Sequence, residues 1–265
     1  MRIDTLRLVH PFPSVLVAAL TAAIVLLADR DAPLERYAIL GFGMLMFQFA
    51  IGITNDVVDA EDDRSAKPWK PLARGDLSLR SAWALAALLV GAGLLLTLTL
   101  PRIAWAVGGL GLACGLVYDV WLKRTDWSWL PYSIALPLIP IWVYLASDRW
   151  KAGLWWALPL GAVLGFALHL ANQAPDARGV TDEGLPGRIG ERASRLGAIV
   201  LFGIVALSVV TLGLSVSTRS GVLVALFAGS VVAVSPFARR LGRDGLFGLL
   251  AVGSTGLALC FLILI

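Results

Sequence analysis

The run Asn55-Asp56-Val57-Val58-Asp59-Ala60-Glu61-Asp62-Asp63 sets one amide and five acidic residues in nine positions. On a helix Asp56, Asp59 and Asp63 fall at i, i+3 and i+7 and share a face, with Asn55 one turn before Asp59. Like charges at that spacing repel by a few tenths of a kcal/mol per pair, so the stripe calls for a cation. Mg²⁺ suits it, because it takes hard oxygen ligands and is typically held by one or two carboxylates, several waters and substrate phosphates. Acidic runs are commonly solvated helix ends. This one closes an apolar segment, where ionisable side chains are costly and functional by default. Downstream, Lys67-Pro68-Trp69-Lys70-Pro71-Leu72-Ala73-Arg74-Gly75-Asp76-Leu77-Ser78 reads as a turning loop. Its cations Lys67, Lys70 and Arg74 are near enough in sequence for a shared metal-and-anion site, and Ser78 reads as a helix N-cap.

The elements that carry these residues follow from composition. Of 265 residues, 58% are hydrophobic and 15% charged, with a mean hydropathy of +0.81. Soluble domains carry about 25% charge. The apolar residues come in continuous runs of about twenty, the length that crosses a hydrocarbon core, without the alternation of a β-barrel. The expected fold is all-α: a polytopic membrane bundle forming one domain over residues 1–265. Its nine spans are Phe12–Ala28, Tyr37–Val57, Ser81–Leu100, Ile103–Trp121, Trp129–Ala146, Gly153–Asn172, Ala193–Leu214, Gly221–Phe237 and Leu246–Ile265.

Charge placement orients this bundle. Sixteen of the 22 basic residues fall at the N-terminus or in the even gaps, which the positive-inside rule assigns to the cytoplasm. Fourteen of the 18 acidic residues lie on that face as well, and topology alone does not explain them. The net charge of +4 needs no nucleic-acid partner. Cys114 and Cys260 lie in apolar runs and read as small hydrophobes. Most of the ten tryptophans fall near span ends, as an interfacial belt would place them. The first apolar run ends in charged residues, not in a signal-peptidase site. His169 reads as a hydrogen-bonded packing residue, with cavity lining as the alternative, and His10 as an interfacial residue.

The pattern Asn-Asp-x-x-Asp-x-x-x-Asp at 55–63, followed by Lys-Pro-x-Lys-Pro-Leu-x-x-Gly-x-x-Ser at 67–78, resembles the first signature of the UbiA superfamily of intramembrane prenyltransferases. The resemblance implies nine helices with this motif at the cytoplasmic end of the second. It also implies a second acidic motif after the sixth. Asn172 and Asp176 match that motif, position 180 holds Val180 where the family has a further Asp, and Asp182 or Glu183 could substitute. Leu185-Pro186-Gly187-Arg188-Ile189-Gly190 corresponds to the family's Leu-Pro-x-Arg-Leu-Gly. The stretch Tyr118-Asp119-Val120-Trp121-Leu122-Lys123 resembles a Tyr-x-x-x-x-Lys element that faces the diphosphate.

The implied site therefore has Asp56, Asp59 and Asp176 as catalytic residues and Asp56, Asp59, Asp63, Asp176 and Asp182 around Mg²⁺. Asn55, Lys67, Lys70, Arg74, Tyr118, Lys123, Asn172 and Arg178 would hold the diphosphate.

The chemistry implied is ionisation of a prenyl diphosphate, with charge on the leaving oxygens neutralised in advance. A lipophilic acceptor, aromatic or otherwise, would capture the allylic cation in a dry apolar chamber. A prokaryotic inner or plasma membrane is the expected location, and the oligomeric state is left open. Three alternatives compete. A terpene cyclase of the same family needs no acceptor. A phosphoribosyl-transferring relative carries a His-Pro element where this chain has Ala66-Lys67-Pro68. A transporter would place ionisable residues at the bilayer midplane, whereas these lie at span ends.

Overall fold

The computed structural model describes residues 8–174, 184–242 and 244–265, with helix as the regular structure and no strand among them. The helices are α1 (Pro11–Ala28), α2 (Leu34–Val58), α3 (Ala60–Ala66), α4 (Leu79–Thr97), α5 (Arg102–Val120), α6 (Leu130–Ala146), α7 (Ala157–Gln173), α8 (Leu185–Val216), α9 (Thr218–Val234) and α10 (Gly245–Leu264). Eight helices are long and apolar enough to cross a membrane, and α6, at 17 residues, is a shorter apolar helix. Each expected span overlaps one of these helices, with ends displaced by up to eight residues. Pro137 and Pro140 interrupt the hydrogen-bond ladder inside α6, which packed apolar bundles tolerate because neighbours re-satisfy the backbone.

Two features differ from the sequence expectation. The acidic run, expected along one helix face, breaks at Asp59 and restarts as α3. The helix expected from Ala193 begins at Leu185, with a break at Gly190, whose φ of 79° and ψ of 164° no helix accommodates. Glycine meets no steric barrier there, so the chain turns without losing the helical segments on either side.

The chain divides into two compact units. The first comprises residues up to Trp121 together with Trp142–Arg149, and the second Leu122–Ile141 with Trp150–Ile265. In the first unit α2 is central and packs on α1, α4 and α5. Close approach is purchased by small residues: a Cβ on Gly93 would lie 2.7 Å from the Phe47 ring, and one on Gly115 would lie 2.3 Å from Ile51. Beneath the acidic end of α2, Leu8, Ile53, Val57, Ala60, Leu72, Ala82 and Ala86 form one buried cluster. That cluster ties the segment before α1, the helix α3 and the basic loop to α2. Ser78 caps α4 as expected, accepting from the Ser81 N–H at 3.0 Å.

In the second unit α8 packs on α7, α9 and α10. Helices α6 and α7 meet backbone to backbone, and a Cβ on Gly165 would lie 2.3 Å from the Tyr132 carbonyl oxygen. Arg188 at the start of α8 pairs with Asp126 at 2.9 Å.

Candidate active site

Helix α2 delivers Asn55 and Asp56 and then breaks at Asp59, which caps it with φ −87° and ψ −1°. These angles stay close to helical. The Asp59 N–H still donates to the Asn55 carbonyl at 3.0 Å, and the Asp63 N–H to the Asp59 carbonyl at 2.8 Å. Helical spacing thus survives the joint, and Asp56 and Asp63 come to the same side, 2% and 3% exposed. Between them lies Lys70, its Nζ 2.7 Å from Asp56 Oδ1 and 2.5 Å from Asp63 Oδ2. A chain of turns folds it back: Lys67 N–H to Asp63 O at 2.9 Å, Lys70 N–H to Lys67 O at 3.0 Å and Arg74 N–H to Lys70 O at 3.0 Å. Gly75, with φ of 77°, then reverses the loop toward α4.

Sequence spacing treated Lys67, Lys70 and Arg74 alike, and the fold distinguishes them. Only Lys70 bridges the carboxylates. Arg74 is exposed and forks onto Asp76, and Lys67 is half-buried within reach of the Asp63 charge. Asp59 is half-exposed at the joint.

Two further partners were not assigned from the sequence. His10, read as interfacial, places Nε2 3.0 Å from Asp56 Oδ1, across 46 positions. Asp119, 2% exposed, accepts from Asn55 Nδ2 at 3.0 Å. The signal for Asp119 was its place in the Tyr118–Lys123 stretch. The close pass of Gly115 over Ile51, one turn earlier on both helices, brings the two polar groups together. Tyr118 is buried on α5.

Electrostatics follow from this burial. Desolvation works against the Lys70 ammonium, but Asp56 and Asp63 together outweigh it and hold the lysine above its ordinary value. Desolvation pushes the Asp63 carboxyl up, and the ammonium groups of Lys70 and Lys67 do not fully offset it.

On the second unit, His169 is fully buried, with Nε2 3.1 Å from Ser128 Oγ and its ring 5.4 Å from that of Tyr132. Asn172 donates to the Tyr132 hydroxyl at 3.1 Å. His169 is thus the hydrogen-bonded packing residue anticipated. Lys123 lies half-buried in the turn Leu122–Arg124. Asp176, Arg178, Val180 and Asp182 lie outside the described residues.

Among the described residues no group of three His, Cys, Asp or Glu side chains is arranged to hold a metal. The donor set at Asp56 and Asp63 nonetheless fits Mg²⁺. It offers hard carboxylate oxygens, in the number that Mg²⁺ takes alongside substrate phosphates, and a cationic group, the Lys70 ammonium, already sits between them.

A model of the UbiA prenyltransferase family matches residues 15–263. The chain belongs to this family. Solved structures of UbiA proteins share its fold at low identity. A digeranylgeranylglyceryl phosphate synthase superposes with a TM-score of 0.69 at 16% identity, covering 98% of this chain and 96% of its own. A UbiA homologue from Aeropyrum pernix K1 gives 0.69 at 17% identity, covering 94% of each chain. A UbiA homologue from Archaeoglobus fulgidus, bound to GPP and Mg²⁺, gives 0.69 at 13% identity, covering 97% of this chain and 99% of its own. No curated protein sequence matches.

Proposed function

We propose that this UbiA-family chain is a Mg²⁺-dependent intramembrane prenyltransferase. It would move a prenyl group from a prenyl diphosphate to an aromatic or other lipophilic acceptor in quinone or lipid biosynthesis. The observation that carries the reading is the buried Asp56–Lys70–Asp63 bridge at the end of an apolar helix. Two carboxylates there cannot meet a diphosphate directly. Mg²⁺, when bound, supplies the positive charge that stabilises the departing diphosphate oxygens. The Archaeoglobus relative binds GPP with Mg²⁺, which supports the same substrate class here.

The residues divide by chemistry. Asp56 and Asp63 offer oxygens to the metal, and we assign Asp59, Asp176 and Asp182 to the same task from the motif. Lys70, Lys67 and Arg74 lie on one loop and offer cations to the diphosphate. Asn55, Tyr118, Lys123, Asn172 and Arg178 are assigned to it on the family pattern. Nine spans with the N-terminus and this end of α2 on the cytoplasmic side form part of the proposal, supported by the charge asymmetry.

Incubation of purified protein with Mg²⁺, labelled prenyl diphosphates and a panel of acceptors tests the reading. An acceptor adduct is expected, lost on adding EDTA and reduced about a hundredfold or more in D56A. Turnover that survives both refutes the mechanism. Diphosphate release with cyclic hydrocarbon and no adduct replaces it with the cyclase.

A further inference from the structure

We propose that His10 is a positioning residue for the metal-binding carboxylate Asp56, an inference that rests on the function proposed above. Three independent features converge on this contact. His10 directly precedes α1 in the left-handed region, with φ of 47° and ψ of 64°, and makes no side-chain cap to that helix. A non-glycine residue in that conformation is uncommon, and its side chain is directed to Asp56 instead. Gly52, one turn before Asp56, leaves room for the ring: a Cβ there would lie 3.1 Å from His10 Cδ2 and 3.4 Å from Cγ. The segment is also anchored on both sides of the contact. Leu8 is buried against Ile53 and Val57, and Ser14 Oγ donates to the Val9 carbonyl at 2.8 Å.

The consequence lies in which oxygen is taken. His10 Nε2 and Lys70 Nζ both engage Asp56 Oδ1. Among the described residues neither Oδ2 contact nor a third partner of Asp56 accompanies them. Nε2 must be the donor, because its partner is a carboxylate oxygen. When substrate anions draw Lys70 away, His10 keeps the 2%-exposed carboxylate partnered and its rotamer fixed, with Oδ2 available to the cation. Carboxylates that ligate metals are themselves held by hydrogen bonds, and losing such an outer partner typically weakens metal binding 10–100-fold.

Mn²⁺ binding to the full-length, substrate-free protein, followed by EPR, tests this alongside thermal melting without metal. H10A is expected to weaken Mn²⁺ binding about tenfold or more. H10Q, whose amide N–H can reach the same oxygen, should restore most of the loss while melting at the same temperature as H10A. G52A, which crowds the ring without altering it, should weaken binding in the same direction and keeps the test open if H10A misfolds. Wild-type affinity in H10A or G52A, or H10Q as weak as H10A, overturns the positioning role. An absence of EDTA-reversible Mn²⁺ binding in the wild-type protein instead overturns the metal-dependent function on which it rests.

Discussion

The ends of α2 and α7 begin with the same short pattern, Asn-x-x-x-Asp, at 55–59 and at 172–176, yet the two units bury different chemistry beside it. At α2 the buried groups are charged. Asp56 and Asp63 share the Lys70 ammonium, and His10 and Asp119 complete the polar set. At α7 the contacts Ser128–His169 and Asn172–Tyr132 are made between groups that need carry no charge. A buried charge stripped of its partner costs several kcal/mol, whereas a neutral hydrogen bond contributes about 1 kcal/mol. The first arrangement therefore depends on a cation being present, and the second, among the described residues, is a neutral hydrogen-bonded network. Similar local spacing does not imply similar electrostatics: what the surrounding helices supply decides it.

The largest break in this contrast is expected from K70M. Removing the shared ammonium leaves two buried carboxylates without it, a loss of about 3–5 kcal/mol in a metal-free melt, and added Mg²⁺ should recover part of it. Unchanged melting would mean that the bridge is not the main compensation. Alkali probes the same group. The Lys70 value is raised on folding, so its contribution is complete below the ordinary lysine value of 10.5 and is lost as pH rises through the higher folded value. Wild-type protein should therefore lose stability above that range by a component that K70M lacks. The Asp63 value is raised as well, so stability also falls as pH rises from the ordinary carboxylate value of 3.8 through the higher folded value: burial disfavours its ionised form, and a cation offsets that.

Smaller effects are expected in the second unit. In G165A the new methyl would fall 2.3 Å from the Tyr132 carbonyl oxygen, so α6 and α7 must part, at about 1–3 kcal/mol of overpacking strain. The smallest comes from S128A, which removes one neutral partner of His169 for about 1 kcal/mol and leaves Mn²⁺ affinity as in the wild type. A large fall in metal affinity in S128A would erase the distinction between the two ends.

Much of this was legible locally. Runs of apolar residues near bilayer length located the spans, because backbone hydrogen bonding in lipid must be satisfied within a segment. Ser78 was recognisable as a cap, since capping needs only the residues that follow it. Asp56 and Asp63 were placed on one face by helical periodicity, which held across the break at Asp59 because that residue kept near-helical angles.

Other features carried no local signal. The choice of Lys70 over Lys67 and Arg74 depended on how a proline-rich loop folded onto a buried cluster. The partnership of His10 with Asp56 spans 46 positions and exists because Gly52 leaves a gap one turn away. Asn55 and Asp119 meet because Gly115 lets two helices close. By itself the sequence determined the all-helical class, the span positions and which acidic residues could share a face, since periodicity and hydrophobicity act along the chain. Only the tertiary structure decided which charges are paired, because pairing depends on where separate helices approach, and that is set by packing clearances that no local spacing encodes.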